Sequence, residues 1–448
     1  MRIRIRAVLL LVLIGGMTFS LIRGQEDSSA NRQGAASSAA ADSRSPTPPL
    51  AVSPSSALTP ASPRRFSKLD AFGKEMLLSC QRGGEWLWRM NDTKGHFLHG
   101  SVPALNSILD GDNYLRQAGA AFALARTARI LGEDRYAVRA TQAILALLDD
   151  TVVEDNETRH TLLPSTILNR LGTAGLLVLA INELPAPQAD LLDKSEQMCN
   201  WIRRQVRADG SLRCNDSSPS IPSPEGGEKG EGKETDDDAD SVNEYPGIAL
   251  YALLRSQKHR PAEWKTALAR KAVGCYRAWW KDHRSMTFVP WQTAAYAEAY
   301  VQTKEPAFAE FVYEMSDWLC SLQYDQLDPR RPLWHGGFMQ WANGKAVEAL
   351  PTIASAPYAE ALAEARRVAR TGSDATRYQH YTEVLHRCLQ FLVRLQYTDA
   401  NTQHFEEWYR PRLVGGFHAS TQDGNLRIDY TQHALSALAT YLEDCSNP

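Results

Sequence analysis

One feature limits what this chain can fold into: from residue 68 onward, two kinds of helix pattern alternate six times. The first kind is longer and carries more charge, whereas the second is rich in Ala, Gly and Leu. Apolar residues recur every three to four positions in both kinds, as is typical of amphipathic helices. Small side chains suit a helix that packs closely on several sides, so we expect the second kind to be inner helices and the first kind outer helices. The inner patterns begin near residues 114, 163, 245, 291, 356 and 427.

Two of the six pairs match in detail. The motif L-x-x-L-Q-Y ends at Tyr324 and again at Tyr397, and each copy is followed by Gly-Gly-Phe, ending at Phe338 and Phe417. A repeat of roughly 60 to 80 residues indicates an array of helical hairpins. An open solenoid of the tetratricopeptide kind is the alternative, but its repeat is much shorter. The sequence therefore predicts an all-α ring of six hairpins, with the inner helices around a central cavity.

This layout resembles the (α/α)6 toroids of six-hairpin glycosidases, N-acylglucosamine 2-epimerases, uronate-acting lyases and epimerases, and terpenoid cyclases. The resemblance covers residues 66–444 and predicts a toroid domain over residues 66–448. The loop Q-x-x-x-D-G-S-L at residues 205–212 and the two Gly-Gly-Phe loops are similar to prenyltransferase and squalene-cyclase repeats. The same toroid carries out hydrolysis, elimination, epimerisation and cyclisation, so the resemblance implies an architecture and leaves the reaction open.

The amino-terminal segment has the pattern of an export signal. Arg2, Arg4 and Arg6 precede an apolar run over residues 7–22, and the arginines are expected to stay on the cytoplasmic side. Residues 1–23 are either a cleaved signal peptide or a signal anchor. No small-residue cleavage site follows closely, and the run is shorter than the roughly twenty residues of a membrane span. Both alternatives predict an extracytoplasmic protein, periplasmic or secreted, with a membrane partner only if the segment is uncleaved.

Two further segments are predicted to be disordered. Residues 24–65 contain no aromatic residue and are dominated by Ser, Ala and Pro. Such a composition cannot bury enough apolar surface to offset chain entropy, so this segment is a linker to the ring. Residues 214–241 form a second such segment, rich in Gly, Ser and acidic residues, inserted in the third hairpin.

Charge and cysteine content exclude some functions. The formal net charge is −3, whereas a nucleic-acid-binding surface is normally basic, so no nucleic-acid partner is predicted. Seven scattered cysteines without a CxxC pair exclude a dense disulfide framework and a zinc ribbon. Most are expected to pack in helices, and a Cys199–Cys214 disulfide remains an alternative. The loop histidines show no HExxH or HxxxH spacing, so no metal or cofactor is predicted; they are His96, His99, His335, His404 and His418.

Ring closure makes the first and sixth hairpins neighbours, so residues 113–117 and 427–433 should lie side by side. Asp429 and His433 are four residues apart and share a helix face, where a carboxylate can tune an imidazole for acid–base catalysis. The alternative is that Asp429 caps the helix. Glu244, after the expected cap Asn243, would be the second catalytic carboxylate, or else it only complements the helix dipole. Glu298 and Glu360, deeper on inner helices, rank below these candidates.

Substrate-binding residues are expected at the inner-helix starts and on the long loops. Arg116 and Arg427 together would suit a carboxylate such as that of a uronic acid, or they pair with Asp429 or Asp112. Aromatic faces at a cavity rim stack on sugar rings, although they also pack loops onto a ring. The predicted substrate-binding residues are Tyr114, Arg116, Gln117, Tyr245, Trp291, Trp334, Tyr358, Trp408, Arg427 and Tyr430.

Three functions follow from these observations. The first is an extracytoplasmic carbohydrate-active enzyme, of hydrolase, lyase or epimerase type, acting on a glycan or a uronate-containing polysaccharide in the ring cavity. The second is a non-catalytic, membrane-tethered binding or scaffold toroid. The third is a terpenoid-cyclase-like protein, which the missing DxDD acid motif disfavours.

Overall fold

The computed structural model describes residues 66–109, 111–163, 168–214 and 239–446. The predicted signal or anchor, the linker 24–65 and most of the insertion 214–241 therefore lie outside the described residues. Among the residues that are described, no helix is long and apolar enough to span a membrane.

The chain alternates outer and inner helices as the sequence predicts. The outer helices are α1 (Ala71–Met90), α3 (Asp134–Asp149), α5 (Ala189–Arg204), α7 (Glu263–Asp282), α9 (Pro306–Cys320) and α11 (Ala375–Arg394). The inner helices are α2 (Tyr114–Leu131), α4 (Arg170–Glu183), α6 (Ala239–Ser256), α8 (Val289–Thr303), α10 (Ser355–Thr371) and α13 (Ile428–Ser446). A single short turn, α12 (Arg410–Leu413), precedes the last inner helix.

The inner helices form a closed ring. Each packs on the next in the order α2, α4, α6, α8, α10 and α13, and α13 returns to α2. Every residue of α4 from Leu171 to Glu183 is buried, whereas α11 buries seven of its twenty residues, on one face. The Ala- and Gly-rich composition therefore marks the helices that are covered on all sides, and the predicted all-α ring of six hairpins is confirmed.

A belt of buried ion pairs joins the carboxyl-terminal ends of the inner helices. Glu183 of α4 lies 2.6 Å from Arg255 of α6, and 2.8 Å and 3.5 Å from Arg129 and Arg126 of α2. Burial alone would raise the pKa of Glu183, but the three guanidinium groups hold it well below its usual range. The belt continues through Glu298 of α8, Arg367 of α10 and Glu443 of α13. One end of the cavity is thus closed by charges from all six inner helices.

Short strands occur in the loops at the other end, where outer helices lead to inner helices. They are β1 (Gly100–Val102), β2 (Ser107–Ile108), β3 (Thr151–Glu154), β4 (Thr158–Thr161), β5 (Gln340–Ala342), β6 (Lys345–Val347), β7 (His418–Ser420) and β8 (Asp423–Arg427). The order β2-β1-β8-β7 makes a sheet that ties the first loop to the last, with Gly100 opposite Arg427. The sequence showed almost no strand signal, because strands of two to five residues are too short for alternation to be visible.

The two repeated motifs have the same backbone bonds. Gly336 donates to the carbonyl of Tyr324 at 2.9 Å, and Gly415 donates to that of Tyr397 at 2.8 Å. Both glycines have a positive φ, +92° and +99°, a conformation that favours glycine. A Cβ at either position would lie 2.1 Å from a carbonyl oxygen of the neighbouring outer helix. The repeats therefore conserve a turn that lets the loop approach that helix closely.

We expect Gly415→Ala to lower the free energy of unfolding by at least about 2 kcal/mol, because strain and a backbone clash add. Gly344→Ala is the matched control: its φ is +73°, but nothing lies within 4 Å of the added Cβ, so it should cost only about 1 kcal/mol. Urea denaturation measures both. Equal losses would show that the close approach at Gly415 is unimportant.

The cysteines pack as the sequence predicts. Cys80, Cys199, Cys214 and Cys388 are buried, and none of the seven cysteines forms a disulfide. The alternative of a Cys199–Cys214 disulfide is therefore wrong.

Candidate functional site

The juxtaposition of the first and last hairpins places Asp429 between two arginines. Arg427 donates from Nε to Oδ1 of Asp429 at 3.0 Å and from its Nη2 to Oδ2. Arg116, from α2, brings its Nε to 3.3 Å from the same Oδ2. Burial favours a higher pKa for Asp429, but these bonds and charges outweigh it and lower the pKa. The salt-bridge alternative is thus confirmed, and Asp429 lies inside the first turn of α13 rather than at a cap.

A loop histidine extends this cluster. Arg116 donates from Nη1 to Nε2 of His99 at 2.9 Å. Burial, and then the charge of Arg116, lower the pKa of His99. Because a guanidinium N–H can only donate, Nε2 of His99 is the acceptor of this bond. The carbonyl of His99 also accepts from the backbone of Ile428 at 3.1 Å. Sequence reasoning placed His99 only among the loop histidines, because Arg116 is 17 residues away and Ile428 belongs to the sixth hairpin.

His433 is held by a carboxylate, as predicted, but by a different one. Its Nδ1 lies 2.7 Å from Oε1 of Glu360 on α10, and the two side chains are 25% and 13% exposed. Burial would lower the pKa of His433, but the bond to Glu360 and the charges of Glu360, Asp429 and Glu244 raise it. The prediction that Asp429 holds His433 is therefore corrected to Glu360. Ring geometry, not sequence spacing, brings α10 and α13 together.

Glu244 lies near the same cluster, since the charges of His433 and Arg116 act to lower its pKa. Its side chain is exposed, but the surrounding protein displaces water from the carboxyl group, and this raises the pKa more than the two charges lower it. Helix α6 is described from Ala239, so Glu244 does not open it. Asn243 does not cap the helix either, since its Oδ1 accepts from Nε1 of Trp279 at 3.2 Å. The predicted start of this helix was wrong because Pro246, usual in a first turn, here lies inside the helix.

A narrow cavity continues below His433 towards the ion-pair belt. Trp291 of α8 lines it, with ring centroids 6.3 Å from His433 in an edge-to-face arrangement. At its base, Arg126 donates to the hydroxyl of Tyr251 at 2.6 Å. The space open to the centres of water molecules is about 10 Å³, room for about one water. This cavity is therefore too small to hold a sugar ring.

Comparisons with known proteins agree on the architecture. No family model and no curated protein match the sequence. D-mannose isomerase superposes with a TM-score of 0.58 at 14% identity, over 84% of this chain and 100% of that one. Cellobiose 2-epimerase from Bacillus thermoamylovorans B4167 has the same TM-score and coverage at 11% identity. A heparin-specific unsaturated glucuronyl hydrolase gives 0.54 at 12% identity, over 83% of this chain and 98% of that one.

All three belong to the six-hairpin glycosidase superfamily. The chain has the fold of the (α/α)6 toroids. Likeness at this identity establishes the fold, and the chemistry of the toroid has to be argued from its own residues.

Three of the predicted substrate-binding residues at inner-helix starts support the toroid instead of facing its mouth. Tyr114 is buried, and its hydroxyl donates to the carbonyl of Leu147 on α3. Gln117 is 3% exposed and exchanges two bonds of 2.7 Å with the backbone of Phe97. Tyr245 packs so closely on α4 that a Cβ at Gly172 would lie 2.5 Å from its ring.

The aromatic residues predicted at the rim are dispersed. Trp334 lies 5.3 Å from the ring of Tyr324 and packs on its own loop. Tyr358 packs edge-to-face on Phe338, and Trp408 is 60% exposed. Tyr430 joins the arginine cluster, because the guanidinium of Arg427 lies 4.5 Å from its ring. The structure thus brings together Arg116, Glu244, Trp291, Arg427, Asp429, Tyr430 and His433, and adds Glu360 and His99.

Metal ligation finds no support in the described part of the toroid. No group of three or more His, Cys, Asp or Glu side chains there is arranged to hold an ion.

The His433–Glu360 pair predicts a pH dependence of stability. Because the folded-state pKa of His433 is raised, the pair stabilises fully below the unfolded pKa of about 6.5, and this contribution is lost as the pH rises through the folded pKa. Glu360→Gln should remove this loss of stability, which begins above about pH 6.5. Unfolding free energies against pH, together with NMR titration of the His433 ring, measure it. A His433 pKa unchanged in Glu360→Gln would contradict the assignment.

Proposed function

We propose that this protein is a carbohydrate-active enzyme that transfers protons to and from a sugar bound at the mouth of the toroid. The observation that carries the proposal is the His433–Glu360 pair, which lines the central cavity and lies close enough to Glu244 for their charges to interact. A histidine whose proton is held by a carboxylate titrates near neutral pH, as a general acid or base requires. The hydrolase, isomerase and epimerase among the similar structures support a sugar substrate.

The residues of this site have two roles: some transfer protons, and the others position or bind the substrate. His433 donates a hydrogen bond from Nδ1 to Oε1 of Glu360, which leaves Nε2 to exchange a proton with the substrate. Glu244, with its raised pKa, is the second proton-handling group. Asp429 is a positioning residue: it fixes Arg116 and Arg427, whose remaining N–H groups can bind sugar hydroxyls or a carboxylate. Trp291 offers an aromatic edge beside His433.

Proton transfer of the isomerase or epimerase kind fits Asp429 better than hydrolysis does. Both of its oxygens accept from guanidinium groups, so it can neither carry an acidic proton nor approach a sugar carbon freely. Hydrolysis remains the second candidate because Glu244 has a raised pKa and Asp429 a lowered one. A pair of carboxylates with separated pKa values is how glycosidases divide acid and base.

Incubation of the protein with a panel of reducing sugars, uronates and oligosaccharides in D2O separates these reactions. Proton transfer puts deuterium on the carbon next to the sugar carbonyl, which NMR detects even when the product equals the substrate. Hydrolysis releases new reducing ends without such deuterium. Saturable sugar binding with neither product would overturn the enzymatic proposal and favour the non-catalytic toroid.

We also propose that the toroid acts outside the cytoplasm, on the basis of residues 1–23. Protease treatment of intact cells that express the full chain tests this. The proposal would be contradicted if the protease degraded the toroid only after the cytoplasmic membrane had been permeabilised.

A further inference from the structure

A second cavity of about 400 Å³ lies between the carboxyl-terminal end of α1, the β1–β2 hairpin and α12. It shares no lining residue with the cavity beneath His433. Strand β1 separates the two regions, since Gly100 lines this second cavity and pairs with Arg427 on β8. Its volume falls in the range of small-molecule sites, roughly 300 to 1,000 Å³.

The walls of this cavity are largely apolar. Met90, Leu98 and Ile108 line it together with the ring of Tyr409. Leu98 is 43% exposed and Ile108 57% exposed, so two large aliphatic side chains face water across a concave surface. An apolar ligand would remove both from water, which is the main source of affinity in such sites.

Arg412, at the edge of this cavity, has no carboxylate partner among the residues that the structure describes. The guanidinium of Arg412 lies 5.6 Å and 6.0 Å from the rings of Trp408 and Tyr409, and its side chain is exposed. Arg89, the other arginine of the lining, is already engaged with Glu85 and the carbonyl of Val414. A planar guanidinium next to apolar walls suits a ligand that carries a carboxylate at one end.

We propose that this cavity binds a small amphipathic acid, with its apolar chain between Leu98 and Ile108 and its carboxylate at Arg412. The hydroxyls of Ser101 and Ser107 on the hairpin line the same cavity and can hydrogen-bond the acid group. The site is independent of the proposed chemistry at His433, because binding to it requires no turnover.

Calorimetric titration of the full chain with dodecanoate and with dodecanol, both below their aggregation concentrations, tests the proposal. We expect saturable binding of one dodecanoate per chain, about tenfold tighter than dodecanol. Arg412→Gln should abolish that preference and leave dodecanol binding unchanged. Arg330→Gln is the matched control, since Arg330 is 82% exposed and paired with Asp328 on another loop.

Ile108→Asp should weaken binding of both ligands by about tenfold or more, because it places a charge on the apolar wall. Leu105→Asp, on the same hairpin, is its control: Leu105 is 75% exposed and does not line the cavity. Thermal unfolding of each variant shows whether it folds. Absence of saturation up to about 1 mM, or equal weakening by Leu105→Asp, would overturn the site.

Discussion

Glu183→Ala is expected to lower the free energy of unfolding by about 3–5 kcal/mol, since it removes a fully buried carboxylate that pairs with three arginines, Arg126, Arg129 and Arg255. Glu183 itself has no exposed side-chain surface, and it bonds Arg129 and Arg255 at 2.9 Å and 2.6 Å. Without it, positive charge from α2 and α6 would be left in the protein interior. Guanidinium or urea denaturation, followed by circular dichroism at 222 nm, measures the loss.

Two variants separate charge from packing. Glu183→Gln keeps the shape of the side chain and removes its charge, so it should be nearly as destabilising as alanine. Glu443→Ala is the matched control, because Glu443 is 34% exposed and, among the described residues, its carboxylate forms an ion pair with one arginine, Arg129; it should cost no more than about 1 kcal/mol. Equal losses for Glu183→Ala and Glu443→Ala would show that burial and sharing among three arginines do not make Glu183 the main stabilising carboxylate of the belt.

The sequence predicts the toroid well because its signals are local and repeated. Alanine and glycine mark α2 and α4 as helices covered on every side, and that property follows from composition along one helix. Ring closure then follows from counting six hairpins, and it correctly places Arg116 beside Asp429. These inferences require no knowledge of which side chains meet across the ring.

The candidate site is predicted less completely, because its contacts join distant helices. Glu360 and His433 are 73 residues apart, and no spacing rule connects them. Asp429 and His433 share one helix face, so the sequence predicted Asp429 as the partner of His433. The ion-pair belt was missed for the same reason. A signal for Glu360 did exist: it is a carboxylate on an Ala-rich inner helix, where an unpaired charge would be costly.

The largest functional effect is expected at His433. His433→Ala should lower kcat/KM by about 10²–10⁴-fold on any sugar that the wild-type protein converts, the usual contribution of a general acid or base. His404→Ala is the matched control, because His404 is an exposed loop histidine whose ring lies 4.2 Å from that of Phe405. The activity of this variant should match that of the wild type. Deuterium exchange and product formation, measured on the same samples, give the rates.

The response of Glu360→Gln distinguishes a catalytic imidazole from a structural one. Glu360 raises the pKa of His433, so its loss should move the corresponding limb of the kcat/KM profile to lower pH as well as reduce the rate. A structural role would lower stability and leave the position of that limb unchanged. Full activity in His433→Ala, or a pH profile that Glu360→Gln does not move, would show that His433 is not the catalytic acid or base. Glu244 would then be the candidate for that role.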